Sequence, residues 1–223
     1  MSMCALLLEL KKAHHITPYV MIPNRGDICG FLDNQKIEYK VSHYYWWVNS
    51  NNGIFQQLLN VRKQIINNAR VKNWYSMWKP YHIDLIYSNS ITINIGSLLS
   101  KQMELPHIWH IRETLQHYQF KFSFGEIYAR YFLKKGADRF IVISNFIKNT
   151  YKQLLPDAKV VRIFNGVNVS NGIFLKKADT NNAGIINLCL VGVVSEKKHQ
   201  MNAIKALDIL INKRGHKNVC LHI

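Results

Sequence analysis

Apolar residues in this chain follow two alternating rhythms. Met3–Ala13 (MCALLLELKKA) sets them at helical spacing and ends in lysines, as suits a helix C-terminus. Thr17–Ile22 is a short β-rich run that stops at Pro23. A helix is predicted over Asp27–Asn34, a strand over Ile37–Val41, and one long amphipathic helix from Ile54 to about Tyr75. Further strands are predicted at Asp84–Tyr87, His107–Ile111, Phe140–Ile143 and Lys159–Phe164, and helices at Ile93–Met103, Phe124–Lys135 and Asn145–Leu155. Gly136 is placed to end the helix before it.

This alternation predicts an α/β fold, a parallel sheet with helices on both faces. The strands are short and apolar without polar alternation, as a sheet buried on both sides requires. Ligands of such sheets sit at the carboxyl ends of the strands. The segments that follow the strands therefore come forward as site candidates: Asn24-Arg25-Gly26, Ser88-Asn89-Ser90, His110-Ile111-Arg112-Glu113, Ser144-Asn145 and Asn165-Gly166.

The rhythm breaks once. Residues 1–174 form the first expected domain, and Leu175–Gly184 (LKKADTNNAG) is polar and reads as a linker. From Ile185 the pattern restarts with a strand over Ile185–Val191, a loop over Gly192–His199, a helix over Gln200–Asn212 and a strand over Val219–Ile223. A single β-α-β unit cannot bury its sheet, so residues 185–223 are expected to be the opening of a second, incomplete domain. The first element is a helix where the alternation would begin with a strand, so an opening strand is expected to be lacking.

Composition narrows the partners. Hydrophobic residues make up 48% of the 223, enough for a sizeable core. The 29 Lys and Arg outnumber 13 Asp and Glu, a formal +16 that favours anionic partners. The four cysteines (Cys4, Cys29, Cys189, Cys220) make no zinc spacing and read as free thiols of a reducing compartment. No apolar stretch reaches the roughly 20 residues of a membrane span. A cytoplasmic protein is expected, either soluble or held at the inner face of the membrane. His107 and His110 form an H-x-x-H, but in a strand residues three apart face opposite ways, so no metal site is expected. Tyr44, Tyr45, Trp46 and Trp47 suit a packing role between a strand and the long helix.

The order of short motifs resembles the GT-B glycosyltransferases, specifically the family-four group of bacterial polysaccharide enzymes. The matching pieces are the helix Ala5–Leu10, DLIYSNS at Asp84–Ser90, PHIWHIRE at Pro106–Glu113, IVISNFIK at Ile141–Lys148, FNGV at Phe164–Val167, LVGVVSEKKHQ at Leu190–Gln200 and AIKALDIL at Ala203–Leu210. The resemblance implies two Rossmann-like domains, the first on the acceptor side and the second holding a nucleotide sugar. It implies a retaining transfer from that co-substrate, with no metal or other cofactor, to a saccharide or lipid-linked acceptor in surface polysaccharide assembly. Carried over residue by residue, His110 is the catalytic candidate, and Gly192 and Lys198 are the donor-phosphate candidates. Asn89, Arg112, Glu113, Ser144, Asn165 and Gly166 are expected to line the cleft. The family commonly has an arginine right after the glycine, and here Val193 replaces it, which weakens the inferred phosphate clamp. The glycine-rich first turn and the E-x7-E segment of the family lie outside these residues, so the chain is expected to be truncated at both ends, without autonomous catalysis.

Three hypotheses follow from the charge and the truncation. The basic charge suits contact with an anionic membrane carrying a lipid-linked acceptor. A nucleic-acid binder would also be basic, but there is no zinc finger, RNA-recognition signature or concentrated basic tract, so no nucleic acid is expected. A split subunit or remnant, pairing with a separate donor-domain chain, is the third. Arg112 and Glu113 also have a plain reading, a surface ion pair.

Overall fold

A computed structural model describes residues 2–13, 16–49, 54–115, 120–166 and 184–223. The chain divides into two compact units, Met1–Val167 and Asn168–Ile223. Of the expected linker at 175–184, only Gly184 lies within the described residues.

In the first unit, α1 (Ser2–Lys12) leads into β1 (Val20–Ile22), α2 (Asp27–Asn34) and β2 (Tyr39–Val41). β1 and β2 are parallel, with Val20 opposite Tyr39. Apolar residues at helical spacing on α1 and α2 close over this pair: Leu7, Cys29 and Leu32 bury with Val20, Ile22 and Ile37.

The chain then makes β3 (Val48–Asn49), α3 (Ile54–Trp78), β4 (Ile86–Ser88), α4 (Ile95–Met103), β5 (His107–Ile111), β6 (Lys121–Phe122), α5 (Gly125–Gly136), β7 (Arg139–Val142), α6 (Asn145–Thr150) and β8 (Val160–Arg162). The main sheet has the order β4-β5-β7-β8, all parallel. It is flanked by helices, as the alternation requires. Trp109, Ile111, Phe140 and Val142 on its strands are fully buried. Each buried side chain of this size contributes about 1.5–3 kcal/mol.

Two glycines let helices pack closely, one against the sheet and one against another helix. A Cβ on Gly96 of α4 would lie 2.0 Å from the Ser88 hydroxyl and 3.0 Å from the His107 ring. A Cβ on Gly136 would lie 2.8 Å from the Ser97 hydroxyl. Gly136 ends α5, as expected; it is not among the positive-φ glycines, and it also lets α5 approach α4 closely.

The antiparallel pair β3–β6 is too short to show in the hydrophobic pattern. It brings Trp47 against Phe122, with ring centroids 4.7 Å apart. The aromatic run divides accordingly. Trp47 is buried and donates its indole N–H to the Ile91 carbonyl (2.6 Å). Tyr44 packs with Trp74 and Trp78 of α3, while Trp46 is half exposed. The long helix buries polar residues beside them for a definite reason. Asn67 accepts from the Tyr45 N–H (3.0 Å) and donates to the Tyr45 carbonyl (2.8 Å), and Gln64 donates to the Trp46 carbonyl (2.9 Å). The extended segment before β3 thus has its backbone groups satisfied by side chains of α3.

The second unit is one β-α-β: β9 (Ile186–Cys189), α7 (Gln200–Asp208) extended by a π turn over Ile209–Lys213, and β10 (Val219–His222). The strands are parallel, and every residue of β9 is exposed.

Candidate functional site

The expected residues after β4, β5 and β8 gather at one end of the main sheet. Arg112 follows β5 directly. Its guanidinium donates to the Asn89 side-chain oxygen (3.3 Å), in the loop after β4, and to the Asn165 side-chain oxygen (2.6 Å), beyond β8. One fork therefore ties loops from two other strands to β5, a use that the five fixed donors of arginine suit.

Glu113 turns a different way. Its carboxylate accepts from the Ile91 N–H (3.0 Å), the Arg112 N–H (3.1 Å) and the Ser90 hydroxyl. Arg112 and Glu113 make no side-chain ion pair, so the plain surface-pair reading is overturned. The backbone N–H groups of the loops captured the carboxylate instead. Glu113 fixes the loop after β4 and is held in turn by Tyr151, whose hydroxyl donates to its carbonyl (3.2 Å).

His110, on β5, is buried. Its Nδ1 bonds the hydroxyl of Tyr87 on β4. Burial pushes the Tyr87 phenol up to about 12, against a smaller pull from the Arg112 charge, so it keeps its proton. Burial holds the His110 imidazole down to about 4, and the Arg112 charge adds to that. The ring is held neutral, with Nδ1 tied to the Tyr87 hydroxyl. That leaves Nε2 buried and without a hydrogen-bond partner among the described residues. A buried polar nitrogen without a partner costs about 1–3 kcal/mol, a cost that a ligand carrying a matching polar group would remove.

His107 is the contrast. It bonds the Ser88 hydroxyl through Nε2 (2.9 Å) and the Gly136 carbonyl through Nδ1. Burial lowers its imidazole to about 4 as well, although the Gly136 carbonyl and Asp138 oppose this. It is a fully satisfied core histidine that pins β5 to β4 and α5. No group of three or more His, Cys, Asp or Glu suited to a metal ion occurs among the described residues.

Ser144 caps α6, its hydroxyl accepting from the Ile147 N–H (3.2 Å). Gly166 lies in the exposed chain after β8, and no atom stands within 4 Å of where its Cβ would be.

Gly192 and Lys198 belong to the second unit. Both are exposed, in the loop between β9 and α7, where Lys198 ends a 3-10 turn over Glu196–Lys198. The residue that shapes this loop is Gln200, which is buried. It donates to the Val193 carbonyl (2.9 Å) and accepts from the Ser195 N–H (3.3 Å). Sequence reasoning passed over both Gln200 and Tyr87. Each sits inside a motif quoted above, but the partners they bond lie at positions that only the fold reveals.

No curated protein sequence matches the chain. Among solved structures, HepE of Anabaena in complex with UDP is 15% identical, with a TM-score of 0.59, and the match covers 99% of this chain and 64% of HepE. HepE in complex with UDP-glucose is 17% identical, with a TM-score of 0.58, covering 99% and 55%. A glycosyltransferase from Rickettsia africae is 16% identical, with a TM-score of 0.58, covering 99% and 63%. The chain thus spans less than two thirds of the length of these structures, which share its GT-B, Rossmann-like fold. The family model described as Glycosyltransferase Family 4 matches residues 12–171, well over half of the chain. The chain belongs to glycosyltransferase family 4.

Proposed function

We propose that this chain serves glycosyl transfer from a nucleotide-sugar donor to a saccharide or lipid-linked acceptor in surface polysaccharide assembly. The observation that carries the reading is His110. Its buried Nε2, unpartnered among the described residues, stands on an interior strand of a family-four domain, two residues before an arginine that locks the neighbouring loops. A neutral imidazole nitrogen suits a sugar hydroxyl, which both donates and accepts, and such a bond would fix the geometry of the reacting groups. HepE, whose fold the chain shares, was crystallised with UDP and with UDP-glucose, which supports a nucleotide sugar as donor.

The bond that breaks joins the sugar to the donor diphosphate, and negative charge grows on the leaving phosphate. Lys198, with backbone N–H groups of the loop after β9, would stabilise that charge. No metal or further cofactor is invoked. Gly192 lets the loop backbone approach a phosphate closely. Residues 1–174 and 185–223 would serve acceptor and donor respectively.

A cytoplasmic location against the inner membrane face fits the surface of α5. No helix among the described residues is long and apolar enough to cross a membrane. On α5, however, Ile127 is 89% and Tyr131 60% exposed, beside exposed Arg130, Lys134 and Lys135. Aromatic and basic groups on one helix suit an anionic headgroup layer.

The reading is tested in a polypeptide that carries this chain together with a complete donor half. Transfer from a panel of UDP-sugars is expected to fall at least about tenfold in Lys198→Ala, since a lost charge-stabilising contact costs more than 1.4 kcal/mol of barrier. Unchanged turnover in both Lys198→Ala and His110→Ala would remove these residues from the mechanism.

A further inference from the structure

At the carboxyl ends of the main sheet, one positive charge meets no counter-charge from the described residues. Arg112 is half-buried, and two neutral amide oxygens, those of Asn89 and Asn165, hold its guanidinium. Those bonds use two of the five N–H donors of an arginine. No carboxylate pairs with it among the described residues. The loops after β4 (89–94), β5 (112–115), β7 (143–144) and β8 (163–166) contain a single acid, Glu113. Its carboxylate already accepts from the Ile91 N–H, the Arg112 N–H and the Ser90 hydroxyl. The Arg112 charge acts on both the Tyr87 phenol and the His110 ring, and no carboxylate offsets it at either.

A clasp between segments does not require a charge. Asn67 bridges α3 to the backbone of Tyr45 with an amide alone. A guanidinium framed by amide oxygens is oriented without being neutralised, which suits it to receive an anion. Arginine matches the paired oxygens of a phosphate or a carboxylate with two parallel bonds.

His110 shares this face. Tyr87 on β4 bonds His110 on β5, and two residues further along each chain Asn89 meets Arg112. Residues two apart in an extended chain lie on one face, about 6.5 Å from each other. The face therefore offers a neutral imidazole nitrogen and, one step on, a cation. A ligand that uses both carries a hydroxyl and an anionic group at roughly that separation. A monosaccharide ring with a phosphate or carboxylate substituent has that size and that chemistry.

The geometry points to an oxyanion subsite at Arg112: the acceptor is a saccharide bearing a phosphate or carboxylate group, whose anionic oxygens the guanidinium receives while a hydroxyl of the same sugar meets His110 Nε2. Calling this ligand the acceptor rests on the glycosyl-transfer reading; the subsite itself does not.

Binding to the 223-residue chain tests the subsite without any turnover. Glucose-1-phosphate and glucuronate are titrated alongside glucose, with nitrogen-15 NMR of the Arg112 guanidinium and the His110 ring. At least one of the two acids is expected to bind at least about tenfold more tightly than glucose, through the added charge-assisted bonds, and to move both signals. Tighter binding of the phosphate assigns the subsite to phosphate, and tighter binding of the uronate assigns it to carboxylate. Parity of both with glucose would overturn the proposal, as would binding that leaves the Arg112 signal unmoved. Inorganic phosphate bound as tightly as glucose-1-phosphate would contradict joint recognition of a sugar and its anionic group. UDP that moves Arg112 while neither acid does would place the oxyanion on the donor and overturn the acceptor assignment.

Arg112→Gln is expected to remove most of the preference for the acid. Arg139→Gln, at an exposed position at the opposite end of the sheet, is expected to keep it. Equal losses in the two variants would trace the preference to overall charge and overturn the subsite. Should Arg112→Gln fail to fold, the NMR titration of the unaltered chain decides alone. Binding of an acidic sugar that a polypeptide with a complete donor half never glycosylates would overturn the transfer reading, not the subsite.

Discussion

In the first unit Trp109, Phe140, Ile111 and Val142 vanish completely into a sheet flanked by helices, whereas in the second every residue of β9 is exposed. The two are built alike from short apolar parallel strands. They differ in how many strands share the burial. Four parallel strands with α4, α5 and α6 around them close a core, but one β-α-β leaves apolar side chains such as Val191 at 91% exposure. The difference also reaches the candidate residues. His110 and Arg112 are held by side chains from neighbouring strands and loops, while among the described residues Lys198 is held through the backbone of its own turn. Preorganisation is therefore concentrated in the first unit.

Truncation in the two units is the strongest way to break this comparison. Trp109→Ala is expected to cost about 3–5 kcal/mol, the range for removing a large buried aromatic. Leu188→Ala on β9, where the side chain is already 42% exposed, is expected to cost well under half of that, about 1 kcal/mol or less. Chemical denaturation of both variants checks the pair, and equal losses would mean that the second unit buries its strands after all.

Acid should also act on the first unit first. His107 and His110 are both held down to about 4 by burial, below the ordinary 6.5. Their stabilising contribution is complete above pH 6.5. It is lost as pH falls toward 4, because the unfolded chain takes up protons that the folded chain refuses. The loss is on the order of 3 kcal/mol per histidine as an upper bound. Tm measured from pH 7.5 to 4 should drop across that window, and His110→Gln should flatten the drop. A Tm independent of pH across the window would contradict the placement of both rings.

Overpacking gives a smaller effect. Gly96→Ala drives a Cβ to 2.0 Å from the Ser88 hydroxyl, so either that side chain, with its bond to His107, or α4 must shift. A cost of about 1–3 kcal/mol is expected by calorimetry. Gly166→Ala, with open space at its Cβ, is the control and should be nearly silent. The mildest change is Gln200→Ala. It removes the two bonds that shape the loop of Gly192 and Lys198 and should cost about 1 kcal/mol. Faster exchange at the Ser195 amide would report it.

Most strands and helices of the first unit were legible because each strand is a compact apolar run and each helix carries its own period. Boundaries moved where three-dimensional pairing decided them: the expected strand at Asp84–Tyr87 became Ile86–Ser88, in register with His107–Trp109. The pair Val48–Asn49 and Lys121–Phe122 was illegible, since two residues carry no period and their contact is distant in sequence. Gly136 was legible as the end of α5, but its close approach to Ser97 was not, because nothing local reveals which helix packs against it. At the site, strand-end logic found His110, Arg112, Asn89 and Asn165. It could not see that Arg112 would choose two asparagines over Glu113, because that choice was made by the loop N–H groups that claimed the carboxylate. Nor could it show that the Tyr87 hydroxyl would take His110 Nδ1 and leave Nε2 free.

The most direct test of the proposed site is nitrogen-15 NMR of the His110 ring and the Arg112 guanidinium during titration with saccharide acceptors and UDP-sugars. The account predicts saturable shifts at His110 Nε2 with at least one of these ligands. It also predicts that Nδ1 keeps its bond to Tyr87 throughout. Shifts confined to surface lysines such as Lys12 and Lys40, with His110 and Arg112 unmoved, would contradict it.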